Sequence, residues 1–345
     1  MTLTAALAIV AGVVLAGIVA HGAWSARRAG PRQPEPPAPV ERVEPMLTGA
    51  AEAAAVAAPV ITAADEPLAA RRGPRIDALI DAIVTLRVDA PVAGESVLAH
   101  LPTTRRAGSK PFLIEGLDTE TGEWEQVAPG RRYGELQAGV QLANRNGALN
   151  EIEYSEFVQK MHGTAEDLGA TIEPPDMLEV VARAKELDAF ASQHDAQLAV
   201  TLRANSVAWS PGYLQQCAAR YGFVPGMVSG RLVLPSSEEH APPVLVLNFD
   251  AQMALAEQPE HAALREASLA LDVPQTAEAA DPFAQWQQVA RGLADDMDAE
   301  LVDDQGAPIT LQAFSAIGGE LAQMYQALAA RDLAAGSATA RRLFS

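Results

Sequence analysis

The chain has 345 residues, 49% of them hydrophobic, which is enough for one large or two ordinary cores. Its formal net charge of -19 excludes a nucleic-acid binder, because phosphate recognition needs a basic face. It equally excludes a module that lies flat on anionic lipid, and the single cysteine, Cys217, excludes an intrachain disulfide and fits a reducing compartment.

Leu3 to Trp24 is apolar apart from Thr4, His21 and Gly22. About twenty residues rising ~1.5 Å each cross a ~30 Å hydrocarbon core, so residues 3–24 are predicted as a transmembrane anchor. The start, Met-Thr-Leu-Thr, lacks the basic n-region of a secretory signal, which argues against the alternative of a cleaved leader. Trp24 sits at an interfacial position, and Arg27, Arg28 and Arg32 follow it. By the positive-inside rule that flank is cytoplasmic and the N-terminus is periplasmic. Gly12 and Ala16 form a small-xxx-small pair, which Ala-rich helices also produce by chance.

Residues 25–74 are rich in Pro and Ala, with Pro31, Pro34, Pro36, Pro37, Pro39 and Pro45 and no sustained apolar period. They are predicted as a disordered linker, with room for a short helix around Ala50 to Ala58.

Two later segments read alike. Asp81 to Ala90 and Gln197 to Ala204 both carry Val-Thr-Leu-Arg in an alternating context, so both are predicted strands. After the first come a helix at 93–101, a strand at 111–117, a turn at Thr119 to Gly122 and a strand at 135–143. A helix at 150–168, an extended piece at 171–174 and a helix at 177–194 complete that half. After the second come a helix at 211–221 and strands at 230–234, 244–249 and 267–273. A helix at 282–297, a hairpin-like piece at 300–308 and a helix at 311–333 follow. The shared order points to a degenerate tandem duplication, with halves at 75–195 and 196–335. The fold class is α+β, an antiparallel sheet covered by helices on one face.

Such a sheet leaves its other face free. Leu198, Val200 and Leu202, and Leu269, Leu271 and Val273, form the large apolar sets expected to face the helices. The strand 244–249 is apolar on both faces. Either Leu245, Leu247 and Phe249 point to the open side and flank a groove floored by Ala199, Ser268 and Ala270, or the strand is buried on both faces. A groove of that kind suits an amphipathic or extended peptide.

No catalytic constellation emerges. His21, His100, His162, His194, His240 and His261 are scattered, without metal-ligand spacing. Cys217 reads as a packed core thiol, with nothing basic placed to lower its pKa. Asp295-Asp296 and Asp303-Asp304 read as solvated or capping pairs, and Asp118 to Gly122 as a hairpin turn rather than a calcium loop. No phosphate loop is present, and no cofactor is implied.

The anchor, linker and module layout, with the second half of the chain, resembles the ZipA family of bacterial division proteins. The residues that carry the resemblance are Tyr213-Leu-Gln-Gln, Gly222-Phe-Val-Pro-Gly226, Leu269-Ala-Leu-Asp-Val-Pro274 and Gly292-Leu-Ala-Asp-Asp-Met297. Leu301-Val-Asp-Asp-Gln305 and Pro308-Ile-Thr-Leu lead into the terminal helix. The resemblance covers residues 196–333 and the N-terminal anchor. The half at 75–195 is extra to the family's usual pattern, and the linker is shorter and less Gln-rich. The resemblance implies a non-enzymatic membrane tether at the division site of the inner membrane, with the tail of FtsZ as partner. Carried over strand by strand, the groove positions are Ala199, Thr201, Val228, Leu247, Phe249 and Ala270, several of them smaller than the family tends to carry. An anchored scaffold for another partner, and an enzyme with an unrecognised site, are the rival readings.

Overall fold

The computed structural model of the chain describes residues 31–35, 75–239, 241–256 and 262–345. The expected anchor at 3–24, and all of the expected linker except residues 31–35, lie outside them. Among the described residues no helix is long and apolar enough to cross a membrane. The contacts divide the chain into two units, each described by itself.

The N-terminal unit holds residues 75–193 together with Arg342–Ser345. Its strands are β1 (Asp81–Ala93), β2 (Arg106–Ala107), β3 (Lys110–Asp118), β4 (Trp124–Gln126) and β5 (Arg132–Gln141). A two-residue pair, β6 (Ala143–Asn144) and β7 (Gly147–Ala148), and β8 (Ala170–Glu173) follow. The main sheet runs β2-β3-β5-β1-β8, with β4 on β3, and every pairing in it is antiparallel. Its helices are α1 (Gly94–His100), α2 (Glu151–Leu168) and α3 (Met177–His194), whose last residue begins the other unit.

Period-two alternation settles the faces of this sheet. Ala82, Val84 and Leu86 of β1 are buried with Leu136, Ala138 and Val140 of β5 and Phe112 and Ile114 of β3. Phe112 meets Phe157 of α2 at a ring separation of 5.4 Å, so the helices cover that side. α2 starts where it does because Asn150 and Glu153 form a reciprocal capping box. It stops at Gly169, whose left-handed backbone (φ 63°) returns its N–H to the last turn.

The C-terminal unit holds His194–Arg341 and the described segment 31–35. Its strands are β9 (Gln197–Ala204), β10 (Val224–Pro225), β11 (Arg231–Leu234), β12 (Leu245–Asn248), β13 (Glu266–Asp272) and β14 (Ala299–Val302). They form one antiparallel sheet in the order β10-β11-β12-β13-β9-β14. Its helices are α4 (Pro211–Ala219), the single turn α5 (Ala251–Ala254), α6 (Pro282–Met297) and α7 (Leu311–Ala329). A last helix, α8 (Ala338–Leu343), was not expected from the sequence. α4 and α6 both begin with Pro in the first turn, where the missing N–H costs nothing.

Leu214 and Cys217 of α4, Trp286 and Leu293 of α6 and Phe314 and Tyr325 of α7 join one core with Val200, Leu202, Leu232, Leu245, Leu247 and Leu269. The indole N–H of Trp286 donates to the Leu269 carbonyl at 3.2 Å, fixing α6 against the middle of the sheet. The architecture is therefore α+β with antiparallel sheets and covering helices, as the sequence patterning implied.

Candidate peptide-binding surface

The register of the C-terminal sheet defines what its other face presents. Val224 pairs with Val233, Val233 with Val246, Val246 with Ala270, and Ala270 with Ala199. Directly opposed residues share a face. These five side chains therefore form one apolar row that crosses five strands. Four strand spacings of ~4.8 Å make the row about 19 Å long. Its members are half-buried or exposed, whereas their chain neighbours Leu232, Leu245, Leu247, Leu269 and Val200 are buried.

The next row is Arg231, Asn248, Ser268 and Thr201, polar over four strands, and it ends on the buried Val302 of β14. Beyond it Arg203 lies between Glu266 and Glu300, with ion pairs of 3.5 and 3.3 Å. On the other flank stand Gln197 and Asp272. A narrow apolar stripe bordered by polar rows accepts an extended chain or the apolar edge of a short helix, and its polar flanks set the register.

At the Val224 end the stripe opens into a groove of about 680 Å³ beside Met227, Val228, Arg231 and Val233. Met227 is fully exposed, and Val228 is 62% exposed. The tight return from Val228 to Arg231 depends on Gly230, which adopts φ 78° and whose Cβ, if present, would collide with the Phe249 carbonyl. Large apolar side chains held out on a turn carry an unfavourable exposure that a partner would relieve.

The structure distributes the six expected groove residues unevenly. Ala199 and Ala270 lie in the apolar stripe, and Thr201 lies in the polar row beside it. Val228 lines the groove at its end. Leu247 is placed differently: it is 0% exposed and sits in the core, between Leu232 and Leu269. Phe249 has the same parity and packs against that core. The expectation that Leu245, Leu247 and Phe249 face the open side is thus corrected. Their neighbour Val246 faces it, because the larger leucines fill the space under the helices. Val224, Val233, Val246 and Met227 were missed, although Val224 lies inside the Gly222 to Gly226 motif.

Cys217 is buried, and burial raises its thiol pKa, which disfavours the reactive thiolate. No group of three metal-ligating side chains is brought together among the described residues.

Residues 237–318 match the family model described as ZipA, C-terminal FtsZ-binding domain. The matched stretch runs from the approach to β12 through β13, α6 and β14 into α7. That family is one of protein-binding domains, and the C-terminal unit contains a ZipA-like domain. No curated protein matches the chain. Among solved structures, a variant of berberine bridge enzyme in complex with (S)-reticuline aligns at 9% identity, covering 75% of this chain and 51% of that one, with a TM-score of 0.17. Berberine bridge enzyme from Eschscholzia californica aligns at 9% identity, 73% and 52% coverage, and a TM-score of 0.16. The chain spans about half the length of these enzymes, and similarity at that level carries no information about its fold or chemistry.

Proposed function

We propose that the C-terminal unit binds the C-terminal tail of FtsZ along the Val224–Ala199 stripe and the adjoining Met227–Val228 groove. Residues 3–24 then anchor the chain in the inner membrane, residues 25–74 tether it, and division-ring filaments are held at the cytoplasmic face. The observation that carries this reading is the solvent-facing apolar row on a sheet whose other face is fully covered. The family match supports the identity of the partner, and the charge pattern of residues 1–32 supports the anchor.

The two units are read as copies of one ancestral module. In both, the Val-Thr-Leu-Arg strand pairs on one side with a main-sheet strand that comes before a long helix, β5 or β13, and on the other with the strand that follows that helix, β8 or β14. In both, the motif arginine pairs with a glutamate on the same neighbour: Arg87 with Glu135, and Arg203 with Glu266, each at 3.5 Å.

The copies differ on the face in question. In the N-terminal unit Glu115, 4% exposed, accepts from the Ile76 N–H and from the Gln137 side chain. The Ile76 side chain lies over Gly139, where a Cβ would collide with it. Ile76 of the unit's own entry segment thus covers part of that face and a buried carboxylate interrupts it, so the apolar stripe of the C-terminal unit is the better binding surface.

The test is titration of the full chain in detergent with a fluorescent peptide of the FtsZ tail from the same organism. Saturable binding that is lost in Val246→Asp supports the reading. Binding that survives Val246→Asp and Val233→Asp moves the site off the stripe, and no binding leaves a scaffold for another partner.

A further inference from the structure

The expected linker contains a segment that is not free. Residues 32–35, Arg-Gln-Pro-Glu, run alongside the C-terminal unit at the entry to α4. The Arg32 N–H donates to the Ala208 carbonyl at 2.6 Å, and the Ser210 N–H donates to the Arg32 carbonyl at 2.9 Å. Arg32 thereby forms a parallel bridge with Trp209, whose other side is bridged to Leu264. The strap is thus joined through single-residue bridges to Trp209 and, beyond it, Leu264.

Side chains reinforce the backbone pairing. The Gln216 amide makes a reciprocal pair with Glu35: the Glu35 N–H donates to its oxygen, and its nitrogen donates to the Glu35 carbonyl, each at 2.8 Å. Pro34 packs over Gly212, where a Cβ would lie 3.5 Å from the ring. The Arg32 guanidinium donates to Asp298 at 3.0 Å. Asp298 is fixed for this by Ser206 and Asn205, which also donate to it, and those bonds hold its carboxyl below the usual range.

We propose that the surface formed by Ala208–Ser210, Gly212, Gln216 and Asp298 is a second peptide-binding site, separate from the sheet stripe, and that its ligand is the chain's own Arg32–Glu35. The recognition is β-augmentation in cis. Main-chain groups supply most of the bonds, Gln216 imitates one more strand residue, and the Arg32–Asp298 pair selects the sequence. The site is a latch.

Its consequence rests on the anchor reading above. With the latch closed, residues 25–31 alone separate the anchor from the C-terminal unit, a reach of at most ~25 Å. With it open, the first tie is residue 75. The intervening linker then averages ~40 Å if flexible and spans ~170 Å when fully extended. On that reading the latch sets the length of free chain between the anchor and its first fixed point.

Hydrogen exchange of the full chain tests the site, comparing wild type with Gln216→Ala/Asp298→Asn. Asn keeps the left-handed backbone that residue 298 adopts (φ 53°) and removes the charge, so folding is preserved. The Ser210 amide should be protected in wild type and exchange at least about tenfold faster in the double variant. The Leu264 amide, which donates to Trp209, should keep its rate and so report an intact fold. Equal protection of Ser210 in both chains, or no protection in wild type, overturns the latch. Tail-peptide affinity is read in the same samples and should not change. Absence of Ser210 protection in wild type, or its persistence in the double variant, therefore fails the latch alone, and absence of tail binding fails the tail reading alone.

Discussion

Val246 and Leu247 are adjacent, apolar and nearly equal in size, yet the sheet assigns them opposite roles. Replacing each by Asp separates the two. Leu247 is wholly buried, so Leu247→Asp places a carboxylate among Leu232, Leu269 and the helices with no partner. An unpaired buried charge, together with the lost leucine packing, costs roughly 4 kcal/mol or more, a large share of the ~5–15 kcal/mol that holds a domain together. Val246→Asp puts the same group on the open face, where water solvates it. The expected loss of stability is at most about 1 kcal/mol, the range of β-propensity effects. Its effect falls on the ligand instead, because a bound apolar side chain must desolvate that carboxylate without pairing it. A penalty of ~2–3 kcal/mol is a 30- to 150-fold loss of affinity. Thermal unfolding and tail-peptide anisotropy, measured on both variants, check the pair. The reasoning is refuted if Leu247→Asp melts like wild type, or if Val246→Asp is folded and binds the tail with unchanged affinity.

Three further outcomes follow from the packing. Arg342 closes on Asp81 with bonds of 2.9 and 2.6 Å, and the Asp81 side chain has no exposure. Burial pushes the Asp81 carboxyl up while Arg342 opposes that shift. Arg342→Ala should cost ~3–5 kcal/mol in a chemical denaturation curve, and Asp81→Asn/Arg342→Met should recover most of it. Glu153 feels burial that would raise its pKa. Bonds from Ser109 and from the Asn150 N–H, with the nearby Lys110 charge, outweigh that burial and hold it below 4.5. A depressed folded-state pKa contributes stability above pH 4.5 that is lost as pH falls through the folded value, so a melting-temperature profile should drop there and flatten in Glu153→Gln. Gly230→Ala meets both a positive φ and the Phe249 carbonyl, and should weaken tail binding through the 226–230 turn while the far end of the stripe stays intact. Comparable tail affinity in that variant would show that the turn is not part of the site.

Local signals made the long helices legible. The element at 282–297 has Pro at its first position, a 3.6-residue apolar period through Trp286, Val289, Ala290 and Leu293, and an acidic end. Its observed bounds are those read from the sequence. The longer strands were legible as strands, whereas short ones such as β4 and β10 were not, and faces were legible only where one alternating set was plainly polar, as in Gln197 to Ala204. In β12 both sets are apolar, and parity is settled by Leu232 and Leu269 across the ladder, which no local pattern contains. The 31–35 strap was hidden for the same reason. Arg-Gln-Pro-Glu in a proline-rich context has every mark of linker, and its partners Gln216 and Asp298 stand 181 and 266 positions away. Val224, on a two-residue strand, and Met227, on a turn, were missed because neither setting is long enough to show a periodicity.

On the proposed tether reading, the composition of the stripe sets how such a surface would work. Its members are valines and alanines, so it is shallow and offers few deep pockets. Two or three apolar side chains of a ligand laid on it gain ~1.5–3 kcal/mol each. Ordering an extended peptide and giving up its free translation costs a comparable sum. The remainder is that of a weak contact, micromolar or poorer for a single tail. A filament presents many tails to many anchored chains, and each later contact is made at an effective concentration near millimolar. Affinity then comes from number, and single contacts still exchange quickly enough for a ring to remodel. Charge adds little along the stripe itself, because Arg203 beyond its polar border is engaged with Glu266 and Glu300. The groove at its end carries both signs, with Arg231, Glu238 and Glu239 in its lining. A small apolar stripe of this kind favours a short motif read by shape, repeated along a polymer, over a single tight ligand.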